Sequence, residues 1–565
     1  MKRKGLLKKT TSMACAIAMT MALAACGSAV SEEKETGEDT AESVADTTTL
    51  SDESTPAASK ITEDVTLNIR VMNEYRNLEK VVEKYEELTA SDPVMSKIHL
   101  NFSYVPGGDY KDKLTMSLAA QEDYDLMFCG GWHGLSKFIQ EGDFADLSQY
   151  FNNDEYPGLK AAFSEDFTKA MTTYLRQEDG SYTEGIYGIN LASYYEDSRG
   201  FMYREDLRKK YNCAEITDEE SLLAFVKTVS ENEPDMIGAS IYNFFRIDSP
   251  WYSAKHDNVY TQDNVNIFGD QTWVYVGLSD DGKTVLNAVV AGDDESEFAK
   301  MPKGYDYDFI TEYVQDRTKW NDYLFESRGT TDVVEPDAGV IYCTLTEFES
   351  KAKDLTAKIP EAEVKFYVIE DAQRNQEDGA VICDMVTNNW LVVPEWSENT
   401  DATMTFLDWM FGSKQAHDLF ELGIEGEDWE ANGDNGYLAT GISDDEKYFM
   451  PTYSFTLNPN YVRLSEFVMN NEDLKSQYEY ILSESTYKLS PLAGFVFDSA
   501  NVETEVANIS ALSNELQLTL SMYDAETAEK MIGSWHSEAE KVGLEKVRTE
   551  LVTQIQEFLD AKNAN

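Results

Sequence analysis

The chain has 565 residues with 104 Asp or Glu against 47 Lys or Arg, so its formal net charge at pH 7 is −57. This charge would repel a phosphate backbone, and nucleic acid is therefore excluded as an expected partner. A chain of this length also exceeds what a single hydrophobic core accommodates, and we expect at least two lobes.

The first 25 residues have the pattern of an export signal. Basic residues at positions 2–9 precede an apolar stretch from Met13 to Ala25, which at about 13 residues is too short to span a membrane. The stretch ends in "LAAC", which resembles the lipobox of bacterial lipoproteins, where the cysteine becomes the lipidated first residue. We therefore expect residues 1–25 to be removed and Cys26 to be lipidated; the alternative is a plain secreted protein with a stray cysteine.

Residues 26–60 are rich in acids, Ser, Thr and Ala and contain no aromatic residue. Such a segment cannot bury enough apolar surface to offset the entropy of ordering it. We expect a disordered acidic tether that leads to a folded body. Within this body the four cysteines are widely spaced and form no CxxC pair, so neither a zinc site nor a dense disulfide scaffold is expected.

The body begins with alternating strands and helices. "VTLNIRVM" (65–72) alternates apolar and polar residues, and apolar residues then recur at helical spacing from Leu78 to Leu88. A strand in "KIHLNFSYV", a helix in "DYKDKLTMSLAAQED" and a short apolar strand in "YDLMFCGG" follow. The order βαβαβ predicts a doubly wound, mainly parallel sheet. Ligands meet the carboxyl ends of such strands, here just after Met72 and Phe128.

A second α/β unit follows. "RGFMYREDLRKKYN" predicts a strand and a short helix, and the next helix opens with Thr217 and Glu220 in capping-box spacing. A hairpin turned at Asp280-Asp281-Gly282 comes next. "NNWLVVPEWSENTDATMTFLDWMF" then runs from a strand into an amphipathic helix, and the tail has an apolar helical stripe from Val502 to Leu520.

The order of these segments resembles the extracellular solute-binding proteins of carbohydrate-type ABC importers. "YDLMFCGGW", "GDFADLSQYF", "IYGIN", "RGFMYREDLRKKY", "TDEESLLAFVKTV" and "LVVPEWSENTDATMTFLDWMF" carry the likeness. "ELGIEGEDW", "PLAGFVFDSANVETEVANIS" and "GLEKVRTELVTQIQEFLDA" resemble a Gram-positive lipoprotein subgroup whose C-terminal segment has no assigned function. That subgroup often has Pro after its Tyr-Gly pair, whereas here Asn190 follows Ile189.

The resemblance implies an α/β fold: a two-lobed, periplasmic-binding-protein-like clamp of type II, with parallel-rich sheets and a helical C-terminal segment. The expected parts are lobe 1 (61–188 and 336–386), lobe 2 (189–335 and 387–490) and the C-terminal segment (491–565). It also implies a monomeric, lipid-anchored protein without cofactors on the extracellular face of the cytoplasmic membrane of a Gram-positive bacterium. Its expected partners are an oligosaccharide, ABC permease subunits and, through Cys26, the membrane.

A sugar presents flat C–H faces and a rim of hydroxyls, so its site needs aromatic platforms beside polar groups. Trp132 follows a glycine pair at a strand end, and Asn389 and Trp390 lie on the late strand expected to recross the cleft. The candidate ligand contacts are Tyr75, Arg76, Trp132, Tyr194, Tyr195, Asp197, Arg199, Trp251, Asn389 and Trp390. Five of them have an alternative role: a core lid for Trp132, helix surface for Tyr75 and Arg76, an interlobe salt bridge for Arg199, and a packed loop for Trp251.

Catalytic signatures are missing from the sequence, which contains no HExxH, GxSxG or P-loop pattern. For His133, beside Trp132, we expect a hydrogen bond to ligand or solvent exposure. The acidic turns at 280–281 and 432–437 lack EF-hand spacing, and we expect solvated loops there and no metal. We therefore expect no enzyme; a glycan adhesin without a transport partner, a surface hydrolase and a peptide ligand stay open as alternatives.

Overall fold

The computed structural model describes residues 61–177, 179–191, 198–240, 262–265, 267–268, 274–312, 320, 323–325, 338–383, 389–439, 458–520 and 524–564. The export signal, Cys26 and the tether lie outside the described residues, as do Tyr194, Tyr195, Asp197 and Trp251. Among the residues that are described, no helix combines the length and the apolar character needed to cross a bilayer.

The strands are β1 (Val65–Met72), β2 (Ile98–Val105), β3 (Leu126–Gly130), β4 (Thr173–Arg176), β5 (Tyr182–Gly185), β6 (Ile189–Asn190), β7 (Arg199–Arg204), β8 (Ile237–Ser240), β9 (Gln262–Val265), β10 (Val274–Leu278), β11 (Val285–Val289), β12 (Leu324–Phe325), β13 (Ala338–Thr344), β14 (Val364–Val368), β15 (Val381–Cys383), β16 (Asn389–Val392), β17 (Trp429–Asn432), β18 (Gly436–Ala439), β19 (Leu464–Ser465) and β20 (Tyr487–Leu489). The α-helices span Leu78–Thr89, Gly107–Ala119, Leu135–Glu141, Pro157–Ala162, Glu165–Met171, Glu205–Lys210, Glu219–Asn232, Glu295–Phe298, Leu345–Lys358, Asp371–Arg374, Thr400–Gly412, Lys414–Leu422, Glu466–Met469, Glu472–Ile481, Glu503–Leu520, Ala525–Val542 and Leu544–Ala564.

The first sheet has the order β2-β1-β3-β16-β6. β1 runs parallel to β2 and β3, whereas β16 runs antiparallel to β3 and β6. This confirms the predicted βαβαβ unit. The carboxyl ends of β1, β2, β3 and β6 and the amino end of β16 consequently lie together, and we call them the first edge. Tyr85 and Phe406, whose rings meet edge to face at 5.7 Å, belong to the helices packed on this sheet.

The second sheet has the order β12-β8-β13-β7-β14, in which β7 runs antiparallel to both β13 and β14. Alternate residues of β7 face opposite sides: Phe201 packs with Phe225 of one covering helix, and Met202 packs with Phe348 of another. Such alternation buries both faces of the sheet. The carboxyl ends of β8, β12, β13 and β14 and the amino end of β7 form what we call the second edge.

The helix Glu219–Asn232 is capped one residue later than its sequence predicts. Asp218, rather than Thr217, is the N-cap, and its Oδ1 accepts a hydrogen bond from the Ser221 backbone N at 2.8 Å. A carboxylate suits this position because it also faces the positive end of the helix dipole.

Strand pairing corrects the expected lobe boundaries. We expected residues 336–386 in lobe 1 and 387–490 in lobe 2, but β13 and β14 pair in the second sheet and β16 pairs in the first. The chain leaves the first sheet between Leu191 and Ser198 and returns to it between β14 and β16, and the stretch between these two crossings contains all five strands of the second sheet. The chain crosses once more, because residues 464–481 pack in the core of the second sheet.

The C-terminal segment is helical, as expected, but it shares its hydrophobic core with strands from the middle of the chain. Val502, Ile509 and Leu516 of the predicted apolar stripe are buried against the sheet β11-β10-β9, whose hairpin turns at Gly282 as predicted. The helix Leu544–Ala564 also contacts the β4–β5 hairpin, since Arg176 pairs with Glu557 at 2.8 Å. The last three helices therefore complete a core that begins in the middle of the chain.

Candidate ligand-binding site

The first crossing joins the two sheet edges directly. Leu191, at the end of β6, donates its backbone N–H to the Asn389 carbonyl oxygen at 2.8 Å, so the two crossings meet the first sheet side by side. Ser198, at the other end of the first crossing, accepts from the Leu345 backbone N at the second edge, also at 2.8 Å. So few residues span at most about 25 Å. The first crossing therefore joins the carboxyl edges of the two sheets by a short connection, as in hinged binding clefts.

Trp132 is an aromatic side chain that the first edge presents to solvent. β3 ends at Gly130, and the chain then forms a single 3₁₀ turn, Gly131–His133. The Trp132 side chain is 49% exposed, although its indole Nε1–H donates to Oδ1 of Asn389 at 2.9 Å. An indole held by its polar edge while much of it stays exposed can stack on an apolar ligand face.

Gly130 makes this arrangement possible. A Cβ at this position would lie 2.4 Å from Nε1 of Trp132 and 2.8 Å from Oδ1 of Asn389. Any larger residue would therefore displace the indole or break its hydrogen bond. This role of Gly130 was not predicted, although a glycine that ends a buried strand shortly before an aromatic residue is a sequence signal for it.

His133 lies beneath the indole and is buried, with 1% exposure, so solvent exposure, one of the two roles expected for it, is wrong. Its ring centroid lies 3.7 Å from that of Trp132, and its Nδ1 accepts the Gly130 backbone N–H at 3.0 Å. Burial, together with the positive charge of Lys111, lowers the pKa of His133 to about 4. The imidazole is therefore neutral at pH 7, with its proton on Nε2.

Nε2 of His133 is buried without a hydrogen-bond partner among the described residues. The imidazole is surrounded by aromatic rings, because its centroid lies 5.1 Å from that of Tyr110 and 5.5 Å from that of Phe128. The imidazole thus supports the indole by packing and by its bond to Gly130.

Two candidates are core residues, contrary to expectation. Trp390 has 0% exposure because β16 is an inner strand of the first sheet with both faces covered. Tyr75 is also buried, and desolvation together with the charge of Glu421 raises the pKa of its phenol far above the usual value. Neither ring is offered to a ligand in this structure.

The two arginine candidates lie on different lobes. Arg76 follows β1 and is half-buried at the first edge. Arg199 opens β7, is also half-buried, and pairs in register with Thr344 at the second edge. The structure therefore places Arg76, Trp132 and Asn389 at one edge and Arg199 at the other.

The Asp281 carboxylate stabilises the acidic turn at 280–281 through hydrogen bonds within the turn. Asp281 accepts the Ser279 hydroxyl at 2.7 Å and the Lys283 backbone N at 3.2 Å. Within the described ranges, His, Cys, Asp and Glu side chains form no group of three or more that could hold a metal ion.

Residues 71–417, more than half of the chain, match the family described as bacterial extracellular solute-binding protein, and residues 491–560 match a domain of unknown function, DUF3502. A carbohydrate ABC transporter substrate-binding protein from Streptococcus pneumoniae serotype 4 is 22% identical over 478 residues, which cover 82% of this chain and 85% of the relative.

Solved structures show the same fold. An N-glycan transport solute binding protein from Streptococcus pneumoniae superposes with a TM-score of 0.64 at 18% identity, covering 88% of this chain and 99% of the other. The same protein in complex with Man5GlcNAc gives a TM-score of 0.61 at 18% identity and the same coverage. An HMO-binding, ABC-transporter-associated solute binding protein from Bifidobacterium longum infantis gives 0.53 at 14% identity, covering 88% of this chain and 99% of the other.

These likenesses confirm the predicted fold class, a two-lobed α/β clamp. The chain belongs to the bacterial extracellular solute-binding protein family.

Proposed function

We propose that the protein captures an oligosaccharide between its two lobes outside the cytoplasmic membrane and presents it to the permease subunits of an ABC importer. The observation that carries the proposal is the exposed Trp132 indole at the first edge, beside the crossings that join the lobes. The relatives support the class of ligand, since their names specify a carbohydrate or an N-glycan.

The physical basis of capture is stacking combined with closure. A sugar face packs on the indole, while hydroxyls of the same ligand reach Arg76 on one lobe and Arg199 on the other. A ligand that contacts both lobes favours the closed form by its differential affinity for that form. In this proposal the permease recognises the closed form, and no covalent bond of the ligand is broken.

The test is calorimetric titration of the purified protein with a glycan panel, first wild type and then Trp132→Ala. We expect the variant to bind its glycan at least about tenfold more weakly, equivalent to about 1.4 kcal/mol. Leu286→Ala is the matched control, because Leu286 is similarly exposed but lies on β11, which belongs to neither of the two sheets. Wild-type protein that binds no glycan, or a Trp132→Ala variant that binds like wild type, would contradict the proposal.

We propose that Cys26 carries the lipid that keeps the monomeric protein at the extracellular face of the membrane. The apolar segment and the "LAAC" run support this. Cys26→Ser should abolish incorporation of labelled palmitate and release the protein from the membrane fraction. Unchanged labelling of this variant would rule out the anchor.

A further inference from the structure

The Asn389 side chain is engaged by the protein itself. Its Oδ1 accepts the Trp132 indole N–H at 2.9 Å, across 257 residues of sequence. Asn389 and Gly130 lie opposite each other in the register of β16 and β3. Because glycine has no side chain, the indole can lie over this position and reach the amide oxygen.

We propose that Asn389 is a positioning residue for Trp132 rather than a direct ligand contact, an inference that rests on the proposed function and deepens it. The indole is held from several sides in the free protein: Asn389 binds its nitrogen, His133 packs on its ring at 3.7 Å, and Gly130 leaves the space that it fills. The indole is thus ordered before the ligand arrives, which lowers the conformational entropy that is lost on binding.

Asn389 also links the Trp132 indole to the two crossings. Asn389 is the first residue of β16 after the second crossing, and its carbonyl accepts the N–H of Leu191, the residue before the first crossing.

Two substitutions separate positioning from direct contact. Asn389→Asp keeps an oxygen acceptor for the indole but loses the NH₂ donors that a ligand hydroxyl or carbonyl would use. Asn389→Leu has a similar size and loses both functions. Positioning therefore predicts that Asn389→Asp binds glycan within about threefold of wild type, a difference of about 0.7 kcal/mol. Asn389→Leu should bind at least about tenfold more weakly.

A double-variant cycle adds a second criterion. If Asn389 acts through the indole, Trp132→Phe combined with Asn389→Leu should bind no more weakly than Trp132→Phe alone, because the phenyl ring has no N–H to hold. Additive losses, or an Asn389→Asp variant as weak as Asn389→Leu, would overturn the proposal in favour of direct contact.

A ligand-free measurement keeps this test independent of the proposed function. The chain has nine tryptophans, and ¹⁵N-labelled indole resonances can be followed by NMR, with Trp132→Phe identifying the Trp132 signal. We expect Asn389→Leu to shift this signal and speed its exchange with water, and Asn389→Asp to keep it protected. Unchanged shift and exchange in Asn389→Leu would overturn positioning even if glycan binds.

Gly130→Ala tests the same geometry without altering Asn389. The backbone of Gly130 has φ −104°, which alanine adopts freely, so only the added methyl group disturbs the site. The methyl group should displace the indole and produce the same loss of protection as Asn389→Leu. If wild type binds no glycan at all, the proposed function fails, while these resonances still decide whether Asn389 positions Trp132.

Discussion

Arg548 and Asp293 form a buried, bidentate ion pair across 255 residues of sequence, with Nη2 to Oδ1 at 2.8 Å and Nη1 to Oδ2 at 3.0 Å. His536 contacts the same Oδ1 through Nε2 at 2.8 Å, and the Val290 backbone N donates to Oδ2 at 2.7 Å. Burial raises the pKa of Asp293, but the hydrogen bonds from His536 and Arg548 outweigh it and hold this pKa below its usual value. The pair connects the loop after β11 to the last helix.

Arg548→Ala should lower the free energy of unfolding by about 3–5 kcal/mol, because it leaves a buried carboxylate without its main partner. Urea unfolding at pH 7 measures this loss. Lys541→Ala is the control: it breaks an ion pair with Glu538 in which both side chains are more than half exposed, and should cost less than about 1 kcal/mol. Equal losses in the two variants would contradict the importance of the buried pair.

His133 should make stability depend on pH below neutrality. Since the pKa of His133 is about 4 in the folded protein and the ordinary pKa of histidine is 6.5, the unfolded chain binds the proton first as the pH falls. Stability from this residue is therefore fully present above pH 6.5 and is lost as the pH falls towards 4, by about 3 kcal/mol. His133→Gln, which does not titrate, should lose less stability over this range in urea unfolding. Parallel curves for the two proteins would refute this effect.

Asp408 should make stability depend on pH in the opposite direction. Burial raises its pKa to about 6, against the lowering effect of hydrogen bonds from the Leu159 and Gly158 backbone. The folded protein therefore favours the protonated carboxyl, and stability is highest below the unfolded value near 3.8 and falls as the pH rises through 6. Asp408→Asn should be more stable than wild type at pH 7, by up to about 3 kcal/mol, and should lose this advantage at pH 4. A less stable variant at pH 7 would contradict the prediction.

Gly158→Ala should destabilise the first lobe. Its Cβ would lie 2.0 Å from the Asp408 carbonyl oxygen, a backbone atom that cannot move aside alone. Overpacking of this kind costs about 1–3 kcal/mol. Gly533→Ala is the matched control, since nothing lies within 4 Å of a Cβ there and the residue sits inside the helix Ala525–Val542. This control should gain about 0.5–1 kcal/mol in thermal unfolding; a loss of similar size in both would argue against the steric explanation.

Local patterns in the sequence predicted elements well but not their partners. The alternation in β1 and the helical spacing after it are local, and the βαβαβ unit follows from them. The lobe assignment of β13, β14 and β16 was wrong, because a strand's own residues do not specify which distant strand it pairs with. Likewise, period two places Asn389 and Trp390 on opposite faces, but the burial of Trp390 depends on β6 and on helices far along the chain.

In the candidate site too, the local sequence does not specify contacts with distant residues. The exposure of Trp132 could be expected from the glycine pair that precedes it, whereas the hydrogen bond of its indole depends on Asn389, 257 residues away. Tyr75 follows a strand, as a ligand residue would, yet neighbouring elements bury it.

The C-terminal helices share a core with strands from the middle of the chain, so this core can form only late in synthesis. Val276 and Phe298 leave the ribosome long before Leu551 and Phe558, against which they are packed in the finished protein. A truncated product that ended before the helix Leu544–Ala564 would keep these apolar side chains uncovered and would be open to proteases. Folding of this core therefore depends on residues 544–564, although its strands are synthesised well before them.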